Sequence, residues 1–112
     1  MSRRRFDQAM QSMRGTDTRA REGAFDFLRE HADAYVDELI GEFAAERDEA
    51  LRCWLLELLA EARSPKALDV FRGELESMDE SSQFWAVRGL EMLDSREADR
   101  LLEQARDEGW IS

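Results

Sequence analysis

A spacing of 31 residues constrains this 112-residue chain more than any other feature. Frames of that length superimpose Asp17, Asp48 and Asp79, then Leu28, Leu59 and Leu90, with nothing inserted or deleted across two junctions. Other columns agree in chemistry: Phe25, Leu56 and Val87; Ala24, Leu55 and Ala86; Val36, Ala67 and Ala98; Leu39, Val70 and Leu101; Ile40, Phe71 and Leu102. The second and third frames are also identical at Glu49/Glu80, Trp54/Trp85, Ser64/Ser95 and Ala67/Ala98. Self-similarity at such a period means one supersecondary unit copied in tandem, each copy burying its apolar side against the next.

Each frame reads as two helices. Asp17, Asp48 and Asp79 precede helix-period segments, where a carboxylate can accept from unpaired backbone N–H groups and meet the positive end of the helix dipole. In the second frame Leu51, Leu55, Leu58, Leu59 and Ala62 recur at spacings of three and four, one face of a helix ending near residue 62. Ser64-Pro65 ends it and starts the next, because serine caps well and proline loses nothing at a first helical position. So short a turn makes the two helices antiparallel, with Ala67, Val70, Phe71 and Leu75 facing inward. The third frame turns at Asp94-Ser95 and buries Ala86, Val87, Leu90 and Leu93 against Ala98, Leu101, Leu102 and Ala105. The first turns near His31–Asp33, with Phe25, Leu28, Val36, Leu39, Ile40 and Phe43 inside.

Before the first frame, Phe6, Met10 and Met13 form one stripe that stops at Gly15, a natural helix end. The expected organisation is a single domain over 1–112: an N-terminal capping helix in 1–15, then repeats in 16–47, 48–78 and 79–109. Trp110 and Ile111, after Gly109, either fold back onto the last helix pair or form an exposed tail.

Residues 51–68 (Leu-Arg-Cys-Trp-Leu-Leu-Glu-Leu-Leu-Ala-Glu-Ala-Arg-Ser-Pro-Lys-Ala-Leu) and 84–93 (Phe-Trp-Ala-Val-Arg-Gly-Leu-Glu-Met-Leu) resemble the short bacterial HEAT-like repeats. The likeness is close over 48–105 and looser over 17–47. There the turn lacks its proline, and Phe27 and His31 stand where later frames have Leu58/Gly89 and Ala62/Leu93. The resemblance implies an all-α, right-handed α-solenoid of three antiparallel helix pairs, whose second helices line a concave surface used for protein binding. It is nearly silent about activity.

Composition narrows the class further. Six glycines, one proline and no asparagine leave little turn chemistry for β-hairpins, in agreement with an all-helical chain. The single cysteine, Cys53, forms no internal cross-link, and no apolar run reaches about 18 residues, so a cytoplasmic protein is expected. The net charge of -10 is unevenly spread. Residues 1–21 carry six arginines against two aspartates, whereas 22–112 carry ten basic against twenty-four acidic side chains. Such a body repels nucleic-acid phosphates and anionic lipids and steers basic proteins toward itself. The Arg3, Arg4, Arg5 cluster reads as a solvated terminus.

Little in the chain supports catalysis. Nucleophilic chemistry needs a base beside the nucleophile, but the one histidine and the one cysteine lie in different frames. His31, in the column of Ala62 and Leu93, reads as a half-buried structural imidazole, and Cys53 as a small residue packed beside the core. His31-Ala-Asp33 falls short of a metal-ligand set. The glycines are isolated and build no phosphate-binding loop. Carboxylate pairs such as Glu57/Glu61 read as solvated faces. No metal or cofactor is expected.

The sharper signal is the charge left on the second helices once their buried stripes are removed. Asp37, Glu38, Glu42, Asp69, Glu76, Asp99 and Glu103 remain, interrupted by Lys66, Arg72, Arg100 and Arg106. Helices about 10 Å apart would sum these into a negative patch. Tyr35, Trp54 and Trp85 are candidate anchors at its margins; the competing reading packs the two tryptophans between neighbouring first helices. The expectation is a non-catalytic, monomeric binding module, foremost an immunity or inhibitor protein whose acidic concave face occludes a basic partner such as a toxin nuclease. The alternative is a HEAT-like scaffold or adaptor subunit, and a lyase-type HEAT-like enzyme ranks third.

Overall fold

A computed structural model describes residues 3–112, and over them the chain is all-helical. The helices are α1 (Arg3–Arg14), α2 (Thr18–Glu30), α3 (Val36–Ala45), α4 (Glu49–Ala62), α5 (Leu68–Glu74), α6 (Glu80–Leu93) and α7 (Arg96–Asp107). Short 3-10 turns at Ala32–Ala34 and Pro65–Ala67 lead into α3 and α5. None of the described helices is long and apolar enough to cross a membrane.

The helix starts follow the local chemistry of the sequence. Asp17 accepts from the backbone N–H groups of Arg19 and Ala20, Asp48 from that of Leu51 and Asp79 from that of Ser82. Ser64 caps the 3-10 turn with Pro65 at its first position, and Ser95 caps α7 through the N–H of Ala98. α4 and α6 end on left-handed residues that are not glycine, Arg63 (φ 51°) and Asp94 (φ 50°). These two residues are themselves 31 apart, so the tight turn is copied together with its strain.

α4 packs on α6 in the most extensive helix contact of the molecule and α1 lies along α2, whereas α2 touches α4 only lightly. α3 lies against α4, and both α5 and α7 against α6. The body measures 42 × 26 × 20 Å. Its core runs from Phe6, Met10 and Met13 of α1 through Leu28, Leu39, Leu55, Leu58 and Leu59 to Phe71, Leu75, Leu90 and Ala105.

Polar contacts fix the seams. Arg52 on α4 donates from Nη1 to the carbonyls of Phe43 and Glu46 at the end of α3, and from Nη2 to Glu74 of α5 at 2.7 Å. Its guanidinium also lies 4.0 Å from the Phe43 ring centroid. A cation at a helix C-terminus meets both free carbonyls and the negative end of the dipole. One side chain therefore joins three helices.

The C-terminal residues fold back onto the body. Gly109 (φ +80°) stops α7: its N–H donates to the Arg106 carbonyl, and that of Trp110 to the Ala105 carbonyl, a Schellman motif. Gln83 of α6 then donates to the carbonyls of Leu75 and Trp110 at 2.7 Å each. Trp110 and Ile111 thus pack half-buried against the core.

The first frame departs from the other two. Leu39 is fully buried and Ile40 half-buried, whereas in the later frames Phe71 and Leu102 are buried and Val70 and Leu101 half-buried. Lacking a counterpart of Ser64, the 3-10 turn that leads into α3 has no side-chain cap, whereas Ser64 caps the one that leads into α5. Val36 stays buried in register with Ala67 and Ala98, so the difference is confined to the positions that follow. Val87 and Leu93, expected inside, are also only half-buried.

Two outcomes check this description. A Cβ on Gly89 would stand within 2.7 Å of three carbons of the buried Phe71 ring, so Gly89→Ala is expected to destabilise by about 1–3 kcal/mol despite alanine's better helix propensity. Urea denaturation in a Phe71→Leu background should remove most of that loss. Arg63→Gly and Asp94→Gly should each stabilise by about 0.5–1 kcal/mol through relief of the left-handed conformation, read as a rise in midpoint that the corresponding alanine variants lack.

Candidate functional site

Five of the acids singled out from the sequence line two recesses, and the other two lie on or just beyond α5. Asp37, Glu38 and Glu42 on α3, with Gly41 and Arg3, line a shallow recess of about 190 Å³. Asp99 and Glu103 on α7 line a second of about 370 Å³ with Leu102, Arg106 and Glu91 of α6. Glu91 escaped the sequence reading because it belongs to a first helix. Asp69 is exposed on α5, and Glu76 is exposed just beyond its end.

Three of the seven carboxylates are ion-paired. Glu42 accepts from Arg14 at 2.6 Å, Asp37 lies 3.3 Å from Lys66, and Asp69 3.4 Å from Arg72. Glu38, Glu76, Asp99 and Glu103 have no ion-pair partner among the described residues. The Arg14 contact is the best built: Nη2 also reaches Glu46 at 3.2 Å, tying the basic N-terminal helix to the acidic body. The hydrogen bond to Glu42 above all raises the Arg14 pKa, while the Asp48 backbone N–H, helped by Arg14, lowers that of Glu46. The Asp37 and Asp69 pairs are exposed and contribute little to stability.

The aromatic candidates are placed differently. Tyr35 is 2% exposed, with its ring centroid 5.1 Å from that of Phe6 and 6.3 Å from that of Phe27, so it cannot anchor a partner. Its repeat equivalents, Lys66 and Glu97, are exposed. Tyr35 turns inward because α1 supplies an apolar surface at that end and the altered turn aims the ring toward it. Trp54 is half-buried on the seam between α2 and α4, 5.5 Å from Phe25, with the Arg21 guanidinium 4.8 Å from its ring. The stacking shields Arg21 Nε, which has no hydrogen-bond partner among the described residues. Trp85 is half-buried edge-on to Phe84 at 5.1 Å. Neither tryptophan lines an acidic recess.

His31 and Cys53 have separate surroundings. His31 is half-buried and stacks on Phe27 at 4.6 Å. It borders the largest groove, about 590 Å³ between α1 and α2, with Arg5, Gln8 and Ser12. Cys53 Sγ lies 3.5 Å from Asp79 Oδ2 and 3.6 Å from Ser82 Oγ. Burial pushes the thiol up and Asp79 adds to it, against the opposing effect of the Ser82 contact. Two hydrogen bonds from Ser82 hold the Asp79 carboxyl below its ordinary value. Burial raises the pKa of Glu57; the charge of Arg29 opposes this and that of Glu61 adds a smaller push, but Glu57 lines none of the recesses. Among the described residues no group of three or more His, Cys, Asp or Glu side chains is arranged to hold a metal ion.

No protein-family model matches the chain, and neither does any curated protein. The arrangement therefore speaks through its own residues: shallow carboxylate recesses suited to contact, and a thiol kept protonated at neutral pH. A protonated thiol is a poor nucleophile. Cys53 is accordingly expected to alkylate with iodoacetamide far more slowly than a free cysteine peptide at neutral pH, with its pH–rate midpoint above the peptide's.

Proposed function

We propose that this chain is a non-catalytic protein-binding module of the HEAT-like kind, built as a right-handed α-solenoid of three helix pairs behind the α1 cap. In this reading the second helices α3, α5 and α7 form a concave acidic face that docks a basic partner protein in the cytoplasm. Occlusion of that partner is the mechanism, and an immunity or inhibitor protein acting on a toxin domain is the role that fits best. The single observation that carries the reading is the set of carboxylates without ion-pair partners on or beside successive second helices, Glu38, Glu76, Asp99 and Glu103, in a chain of net charge -10. The extensive packing of α4 on α6 and the elongated body support the stacked architecture.

Charge of one sign over neighbouring helices raises the encounter rate with a cationic protein and repels phosphate-bearing ligands. Open recesses with carboxylate rims offer contact without the enclosed, differentiated environments that acid–base chemistry needs. A second reading, a scaffold or adaptor subunit, draws on Lys66, Arg72 and Arg14, whose pairs with Asp37, Asp69 and Glu42 give the middle of the face mixed polarity.

Cross-linking in the native host followed by mass spectrometry identifies the bound protein and the helices it touches. A basic partner cross-linked near α3 and α7 is expected; an acidic partner, or cross-links confined to α2 and α4, overturns the reading. With that partner purified, Glu38→Lys/Asp99→Lys/Glu103→Lys should slow association about tenfold or more and flatten its dependence on salt, while leaving dissociation nearly unchanged. Stopped-flow mixing reads both rates, and an unchanged association rate rejects the acidic face as the docking surface.

A further inference from the structure

Phe84 is 59% exposed in the interior of α6. The 31-residue register shows what such a position faces. Residue 84 of α6 corresponds to residue 53 of α4, and there Asp79 and Ser82, at the start of the following helix, lie against the Cys53 sulfur. The side of α4 that carries position 53 is thus the side on which another helix packs. On α6 the same position holds a large aromatic ring facing solvent.

Around Phe84 runs a groove of about 490 Å³, lined also by Val87, Trp110 and Ile111 and by one charge of each sign, Glu80 and Arg106. Its tail wall is fixed in place. The Schellman motif at Gly109 aims the tail across α6, and Gln83 holds the Trp110 carbonyl at 2.7 Å.

We propose that this face joins two copies of the chain about a two-fold axis, α6 and the Trp110–Ile111 tail of one protomer against α6 of the other. A two-fold interface must be self-complementary, and an acid and a base lining one groove meet that condition when Glu80 of each protomer faces Arg106 of the other. Two molecules of charge -10 repel wherever carboxylates dominate. The two ionisable side chains lining this groove are of opposite sign and its exposed ring is aromatic, so two molecules meet there with less repulsion than acidic face against acidic face. The inference is independent of the acidic face and of what that face binds.

Sedimentation velocity on the full chain from about 5 to 500 μM tests it. The wild type is expected to dimerise, more tightly as salt rises from about 0.05 to 0.5 M, because screening relieves the global repulsion by more than it weakens two exposed ion pairs. Phe84→Glu should weaken the dimer at least tenfold while the helix content of the dilute protomer stays unchanged by circular dichroism, since most of the side chain is open to solvent in the protomer. Glu80→Arg and Arg106→Glu should each weaken it, and the double variant should recover most of the loss. A wild type that stays monomeric throughout, as it would if a different protein covered Phe84, overturns the proposal. So does a Phe84→Glu variant that dimerises as tightly as the wild type, or a charge swap that fails to recover.

Discussion

Helix α4 is apolar around most of its circumference, and the rest of the molecule is arranged to cover it. Leu51, Leu55, Leu56, Leu58, Leu59, Ala60 and Ala62 are all buried, which no helix with a single apolar stripe achieves. Each buried leucine contributes roughly 2 kcal/mol relative to exposure, so leaving any side of α4 open would be expensive for so small a domain. Three neighbours answer this demand: α2 on one flank, α6 on the other, and α3 across the remaining apolar side. Arg52 rises from a less apolar part of α4, and there it ends α3 and pairs with α5.

That central demand explains the different behaviour of the two ends. At the N-terminal end, α1 supplies Phe6, Met10 and Met13 as a full cover, and Tyr35 is drawn in beneath it. At the C-terminal end, α7 and the Trp110–Ile111 tail cover α6 only in part and leave Phe84 in solvent. The asymmetry is electrostatic as well. α1 brings arginines to an otherwise acidic molecule, and Arg14 spends its charge on Glu42 and Glu46 rather than on solvent. Away from α1, Asp99, Glu103 and Glu91 share a recess with Arg106.

The conserved geometry of the repeat and its local strain belong together. Arg63 and Asp94 occupy left-handed conformations that an L-residue adopts at a cost of roughly 1–2 kcal/mol, and Ser64 and Ser95 follow at once as caps. The serine hydroxyl recovers a backbone N–H that the sharp reversal would otherwise orphan. The first frame has neither device, and its second helix buries different positions after Val36. Gly89 shows the same dependence on tertiary fit: its missing side chain is the space that the Phe71 ring fills.

Helix number, helix starts, the short turns and most of the core were legible in the 31-residue columns, because capping and amphipathic periodicity act within a few residues of chain. The sequence by itself also determined the sign of the surface, since charge adds up regardless of where side chains point. Tertiary structure alone decided which acids are paired with Arg14 or Lys66, which aromatic turns inward as Tyr35 does, and which remains open as Phe84 does. Those outcomes depend on side chains brought together from positions 14 and 42, 37 and 66, or 6 and 35. Contacts across such separations leave no periodic trace, because nothing local distinguishes a residue that will meet a neighbour from one that will meet water.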